Sequence, residues 1–116
     1  MGDNDLLEML VAETDRRRET ILRGVEELAA SGESDPNRVE AHGIKGAAMV
    51  VGQDRLAELA LRIEEALAAQ TKSGEITTSL AASIVAGVSA LHEGAEAAAE
   101  GIAEPSSVSR SLEALG

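Results

Sequence analysis

Apolar residues recur at spacings of three, four and seven along most of this chain, and this periodicity constrains the fold more than any other feature. Leu10, Ile21, Val25 and Leu28 illustrate it near the N-terminus, with Thr14 on the same stripe. Such a stripe runs along one face of an α-helix and must be covered by another helix. No stretch alternates apolar and polar residues between hairpin turns, as a strand would. The sequence therefore predicts an all-α protein.

Start and stop signals divide the chain into four helical segments and a tail. We expect helices over residues 4–30, ended by Gly32; 35–52, opened by Asp35 and Pro36; 53–74; and 77–104, ended by Pro105. Residues 105–116 are expected to be a tail, with at most a short extra helix over 108–115. Four amphipathic helices with short links favour an antiparallel up-down four-helix bundle, here over residues 1–104.

The composition fits a single small helical domain. The chain has 116 residues and no Phe, Tyr or Trp, although 44% of its residues are hydrophobic. A chain of this length supports one core. That core must consist of Leu, Ile, Val, Met and many Ala side chains, which allow close packing of helices and favour the helical state.

Charge and composition argue against several classes of function. A net charge of −11 and the lack of aromatic rings argue against nucleic-acid binding, which needs clustered cations and stacking surfaces. The longest uncharged run, residues 76–91, is shorter than the roughly 20 residues that span a bilayer. The N-terminus is acidic, unlike a signal peptide. Without cysteines the chain forms no disulfide, and we expect a cytoplasmic protein with no membrane partner.

One short motif, centred on a histidine, suggests a chemical function. On the second predicted helix, His42, Lys45, Gly46 and Met49 share a face that is nearly opposite to an apolar stripe, which is formed by Ile44, Ala47, Ala48 and Val51. An exposed imidazole beside an ammonium group and a residue without a side chain suits a nucleophile that takes up a phosphoryl group. A surface histidine on an ordinary amphipathic helix has the same pattern, and the motif alone leaves both readings open.

The residues around this motif resemble the histidine-containing phosphotransfer (HPt) domain of two-component phosphorelays, including the phosphorylated domain of chemotaxis histidine kinases. The detailed resemblance runs from His42 to Leu67. It comprises His-Gly-Ile-Lys-Gly-Ala-Ala at 42–48, Gly52, Leu-Ala-Glu-Leu-Ala at 56–60 and Ile-Glu at 63–64. The sequence departs from the family at Gly43, where a small or polar side chain is more common. Glycine at this position loosens a helix by about 1 kcal/mol relative to alanine.

The resemblance implies a role for each residue of the motif. His42 would be the phosphorylated residue, Lys45 would assist electrostatically, and Gly46 with Met49 would give an open docking surface. Glu64, on the next helix, would hydrogen-bond the imidazole and fix its tautomer. His42 would take the phosphoryl group from an upstream histidine kinase or a receiver-domain aspartate and pass it to the receiver domain of a response regulator.

The same resemblance implies a bacterial phosphoryl carrier that is not itself an enzyme. The chain has no Gly-rich nucleotide loop and no second histidine near His42, so we expect no ATP site and no metal site. The Mg²⁺ for phosphoryl transfer is expected on the receiver, and the chain needs no cofactor of its own. His92, the only other imidazole, has an acidic neighbour and no lysine three residues later. We predict that it is an ordinary surface residue.

Two further features of the sequence have more than one interpretation. Gly87, Gly94 and Gly101 recur at intervals of seven, which suits a dimer seam, a tight contact with the first helix, or an exposed face that tolerates glycine. The basic cluster at 16–18 is better explained by pairing with Glu13 on a solvated face than by an anionic partner.

We expect the chain to be a monomeric phosphoryl carrier. The alternatives are a non-catalytic helical adaptor or dimerisation module, and the N-terminal phosphotransfer domain of a larger chemotaxis-type kinase.

Overall fold

The computed structural model describes the backbone over residues 3–31, 35–73 and 78–115, and side chains over residues 5–23, 40–68 and 80–115. Every regular element within these ranges is an α-helix, so the all-α prediction is confirmed. The elements are α1 (Asp3–Ser31), α2 (Asp35–Val50), α3 (Asp54–Ser73), α4 (Thr78–Glu100) and α5 (Ser106–Leu115). The predicted stop at Gly32 lies outside the described residues.

The first four helices form a closed antiparallel bundle. α1 packs against α2 and α4, while α3 packs against the same two helices from the other side. The links between successive helices are short, so each helix reverses the direction of the one before it. The molecule measures 44 × 24 × 17 Å. Its long dimension matches the length of the 29-residue α1 at about 1.5 Å per residue.

The core consists of aliphatic side chains from all five helices, as the composition requires. Each helix contributes the apolar positions that recur every three or four residues, and these interdigitate at the bundle axis. The largest fully buried apolar side chains are Leu10, Ile21, Ile44, Leu59, Ile63, Leu67, Ile84, Val88, Leu91 and Val108.

α2 and α4 end in the same capping motif, each with a glycine. Gly52 and Gly101 have positive φ angles of 75° and 72°, which residues with a side chain rarely adopt. The amide of Gln53 donates to the carbonyl of Ala48 at 2.9 Å, and the amide of Ile102 donates to Ala97 at 3.0 Å. These are the bonds of a Schellman cap, which satisfies the last carbonyls of a helix. α4 consequently ends at Glu100 and does not reach the predicted end at residue 104.

The segment expected to be a tail is a ten-residue helix that belongs to the core. α5 packs against α3 and α4 and buries Val108 completely. Two glycines of α4 make room for it. A Cβ atom on Gly94 would lie 2.5 Å from Leu56 and 3.2 Å from Val108, and one on Gly87 would lie 3.1 Å from Leu115.

The structure therefore gives the glycine repeat a different role from those considered in the sequence. Gly87 and Gly94 are buried and face side chains of α3 and α5, so they form neither a dimer seam nor a contact with α1. Gly101 is exposed and serves as the cap of α4. The spacing of seven placed the first two on one helix face, but the short helix expected over 108–115 had no predicted position, so its packing against that face was not foreseen.

Candidate functional site

α2 separates a buried face from an exposed face, as its sequence predicts. Ala41, Ile44 and Ala48 are fully buried, which anchors the helix in the bundle. His42 lies on the opposite side with 63% of its side chain exposed. Because the helix is fixed by its buried face, the imidazole has a defined position at the surface.

The imidazole of His42 contacts a carboxylate from the neighbouring helix. Its Nδ1 lies 3.0 Å from Oε1 of Glu64 and 3.3 Å from Oε2. The tight turn at Gly52 reverses the chain between α2 and α3 and brings residues 22 positions apart side by side. A carboxylate is an acceptor, so Nδ1 carries the proton in the neutral ring. Nε2 then holds the lone pair, and it has no hydrogen-bond partner among the residues that the structure describes.

Lys45 completes a small polar group around Glu64. Its Nζ lies 3.8 Å from Oε2 of Glu64, and the two side chains are 24% and 21% exposed. The lysine is therefore held near the imidazole of His42 by the same carboxylate, one turn further along α2. The structure brings His42, Lys45 and Glu64 together in one polar group.

The surface next to His42 is open. A Cβ atom on Gly46 would have no atom within 4 Å other than its chain neighbours and the backbone of its own helix, and Met49 is 61% exposed. Val50, which the sequence analysis did not single out, extends this surface with 78% exposure. A bare backbone beside two exposed apolar side chains permits close approach of another protein.

Arg17 of α1 reaches the same region, a contact that was not predicted from the sequence. Its Nε donates to Glu13 at 2.7 Å, and its Nη1 donates to Glu40 of α2 at 3.1 Å. A Cβ atom on Gly43 would overlap the guanidinium, 2.5 Å from its Cζ. The predicted i,i+4 pair with Glu13 is present, but Arg17 also spans two helices. The alignment of α1 with α2 that allows this contact has no signal in the sequence.

The pKa of the Glu13 carboxyl group is shifted by its hydrogen bond with Arg17. The hydrogen bond from Arg17 lowers the pKa of Glu13 below its ordinary value, and Arg16, at 3.0 Å, acts in the same direction. Partial burial opposes both, because it disfavours the charged form. The cluster is therefore an ion-pair network that joins α1 to α2 and is more than a solvated face of α1.

His92 is not the ordinary surface residue that the sequence predicted. Only 12% of its side chain is exposed. Its Nδ1 lies 3.1 Å from the hydroxyl of Thr14, which itself donates to the carbonyl of Val11. The direction of the Thr14–Nδ1 hydrogen bond depends on the tautomer of the ring, and Nε2 lies 3.3 Å from Oε1 of Glu96. His92 thus links α4 to α1, and its partners explain its burial.

The described residues hold no group of three or more metal-ligating side chains. Among the described residues, no helix combines the length and the hydropathy of a membrane span. The chemistry that the site offers is that of a single exposed imidazole, with a carboxylate on Nδ1 and no hydrogen-bond partner on Nε2 among the described residues.

Comparison with known proteins adds one match. A family model described as the Hpt domain matches residues 5–101, which is well over half of the chain. The match extends from α1 to the cap of α4 and stops before α5. No curated protein and no solved structure shows significant similarity to the chain.

Proposed function

Since this chain belongs to the Hpt domain family, whose members carry phosphoryl groups on a histidine in phosphorelays, we propose that His42 is its phosphorylated residue. The observation that carries the proposal is the state of the imidazole. Its Nδ1 is bonded to Glu64, its Nε2 is open, and the ring is 63% exposed. A nucleophile with these properties can be reached by the active site of another protein.

In the proposed reaction, the Nε2 lone pair of His42 attacks the phosphorus of an aspartyl phosphate on a receiver domain, or of the phosphoryl donor of a kinase. The N–P bond forms, the O–P bond breaks, and the electron pair leaves with the donor oxygen. The Nδ1 proton stays on the ring and is shared with Glu64. The positive charge on the imidazole is therefore offset by a carboxylate 3.0 Å away.

The return step is the reverse on a second partner. A receiver aspartate attacks the phosphorus, the N–P bond breaks, and the electron pair returns to Nε2. Lys45 supplies a positive charge near the transferring group in both directions. The Mg²⁺ for this chemistry is assigned to the receiver, and the chain contributes no ATP site.

Docking of both partners is proposed to centre on Gly46 and Met49. The missing side chain at Gly46 lets a partner's backbone come close to Nε2, and the exposed methionine is an adaptable apolar contact. We also propose that the protein is monomeric and cytoplasmic. Its acidic, cysteine-free sequence suits a reducing compartment.

The decisive experiment incubates the purified chain with a panel of phosphorylated receiver domains and follows transfer of the label. The phosphorylated product should be labile in acid and stable in alkali, as a phosphoramidate is, whereas an acyl phosphate is labile in alkali. His42→Gln should keep the helical circular-dichroism spectrum and accept no label. His92→Gln is the matched control and should accept label normally. Normal acceptance by His42→Gln would eliminate the proposal.

A second variant tests docking separately from chemistry. Gly46→Glu retains His42 but places a charged side chain on the open surface, so transfer from a receiver should be lost while the fold is kept. Failure of every receiver to label the wild-type chain would favour the adaptor alternative. That alternative has lost the dimer seam suggested by the glycine repeat, because Gly87 and Gly94 are covered within one chain. Kinase domains encoded in continuity with this sequence would instead favour the larger chemotaxis-type kinase.

A further inference from the structure

We propose that Arg17 is a second cation of the phosphoryl site, which stabilises the negative charge of a phosphoryl group on His42 from its position against Gly43. This inference rests on the phosphotransfer function proposed above and adds a residue from α1. Arg17 lies outside the stretch from His42 to Leu67 that resembles the family in detail, and it contacts α2 at Glu40 and Gly43.

The position of Arg17 is fixed by three groups. Glu13 accepts from Nε at 2.7 Å and Glu40 accepts from Nη1 at 3.1 Å, so both ends of the guanidinium are held. The third group is the backbone of α2 at Gly43, where any side chain would overlap the guanidinium. Glycine at position 43 is thus explained by a contact. It allows a cation from α1 to lie against the residue next to His42.

The surface of α2 between Arg17 and His42 is formed by two glycines, Gly43 and Gly46. Gly43 adjoins His42 in sequence, and Gly46 is one turn further along, next to both. Neither has a side chain, and Gly46 has open space around it. A phosphoryl group on Nε2 would therefore occupy a surface bordered by Lys45 on the α3 side and Arg17 on the α1 side.

The electrostatic need for a second cation follows from the charges. A phosphoryl group brings about two negative charges near neutral pH to a chain whose net charge is already −11. The charge of Lys45 is shared with Glu64 at 3.8 Å. Arg17 has five N–H donors, and among the described residues only Nε and one N–H of Nη1 are bonded. Like Lys45, Arg17 shares its charge with carboxylates, so its contribution comes from the three N–H donors that have no partner among the described residues.

The test compares four variants of the full chain with the wild type: Arg17→Ala, Arg17→Lys, Gly43→Ala and the double variant Arg17→Ala/Gly43→Ala. Arg62→Ala is the matched control. It removes an arginine with a similar i,i+4 carboxylate pair, Glu58 at 3.0 Å, from a surface of α3 that faces α5. Circular dichroism and urea unfolding identify any variant that does not fold.

Two phosphoryl donors separate charge stabilisation from docking. One is a phosphorylated receiver domain and the other is phosphoramidate, a small molecule that does not depend on the docking surface for proteins. Arg17→Ala should lower the rate of His42 phosphorylation by about tenfold with both donors, less than the roughly hundredfold loss on removing a donor in direct contact with developing charge. Arg17→Lys should restore most of the rate. The wild-type rate should fall with added salt more steeply than that of Arg17→Ala.

Gly43→Ala distinguishes an electrostatic role of Arg17 from a purely structural one, because a structural role alone would leave the rate of His42 phosphorylation unchanged in this variant. Its methyl group displaces the guanidinium while improving helix propensity, so we expect slower phosphorylation without loss of stability. In the Arg17→Ala background the same change should have no further effect on the rate. An equal effect in both backgrounds, or a loss seen with the receiver but not with phosphoramidate, would overturn the inference. If His42 takes up no label even in the wild type, the proposed function itself fails, which is a distinct result.

Discussion

Replacing single helical glycines by alanine should have opposite effects on stability at two sites, and the structure gives the sign of each. In a helix interior, alanine is favoured over glycine by about 1 kcal/mol. Gly46→Ala should realise this whole gain, because nothing lies within 4 Å of the new methyl group. Gly94→Ala places a methyl group 2.5 Å from Leu56, which is 3% exposed and has little room to move.

The expected magnitudes follow from these contacts. Overpacking a well-filled core costs about 1 to 3 kcal/mol, so after the propensity gain Gly94→Ala should lose about 1 kcal/mol. The two variants should then differ by about 2 kcal/mol in free energy of unfolding. For a domain of this size, about 1 kcal/mol corresponds to a shift of about 4 °C in Tm. Gly87→Ala is intermediate, since its nearest contacts are 3.1 and 3.2 Å and need only a small adjustment.

The assay is urea unfolding followed by circular dichroism at 222 nm, with the slope of the transition compared between variants. A Gly94→Ala protein as stable as Gly46→Ala would refute the assignment of Gly94 to a filled contact with α3 and α5. Gly46→Ala carries a second result. If it is more stable than the wild type but accepts label more slowly from a receiver, glycine at this position serves docking at a cost in stability.

Two further predictions concern α5 and the ion-pair network. Val108→Ala should lower the free energy of unfolding by about 2 kcal/mol in a single cooperative urea transition, whereas a separate early transition would mean that α5 is not part of the core. Glu13→Gln should destabilise the protein at neutral pH, because the native pKa of Glu13 lies below its unfolded value and the charged form stabilises the fold. This difference from the wild type should be fully present above the ordinary carboxyl pKa and should disappear as the pH falls through the lowered one. A difference independent of pH in urea unfolding would contradict the linkage.

Much of the bundle and of its central site could be predicted because both depend on local spacing. The positions of His42, Lys45 and Gly46 on one face follow from helix geometry. The contact of His42 with Glu64 needs only one short turn, whose Gly52 cap is visible in the sequence. These features involve neighbouring helices and a connection with few alternatives.

The features that sequence analysis missed depend on contacts between more distant segments. Arg17 meets Glu40 across the junction of α1 and α2, and Thr14 meets His92 across that of α1 and α4. Both need the relative alignment of two long helices, which apolar periodicity leaves free to shift by a turn. α5 was underestimated because a ten-residue helix is marginal by itself. Its stability comes from burying Val108 beside Gly94, a contact made only in the folded bundle.

The core built without aromatic rings has an optical consequence for studying this protein. With no Trp or Tyr, the chain contributes essentially no fluorescence when proteins are excited in the near ultraviolet. A tryptophan in a binding partner would therefore be the sole emitter in an unlabelled mixture, and its signal would report complex formation directly. The same property removes the near-ultraviolet dichroism by which tertiary packing is usually followed, so methyl resonances in NMR spectra become the natural probe of this interior.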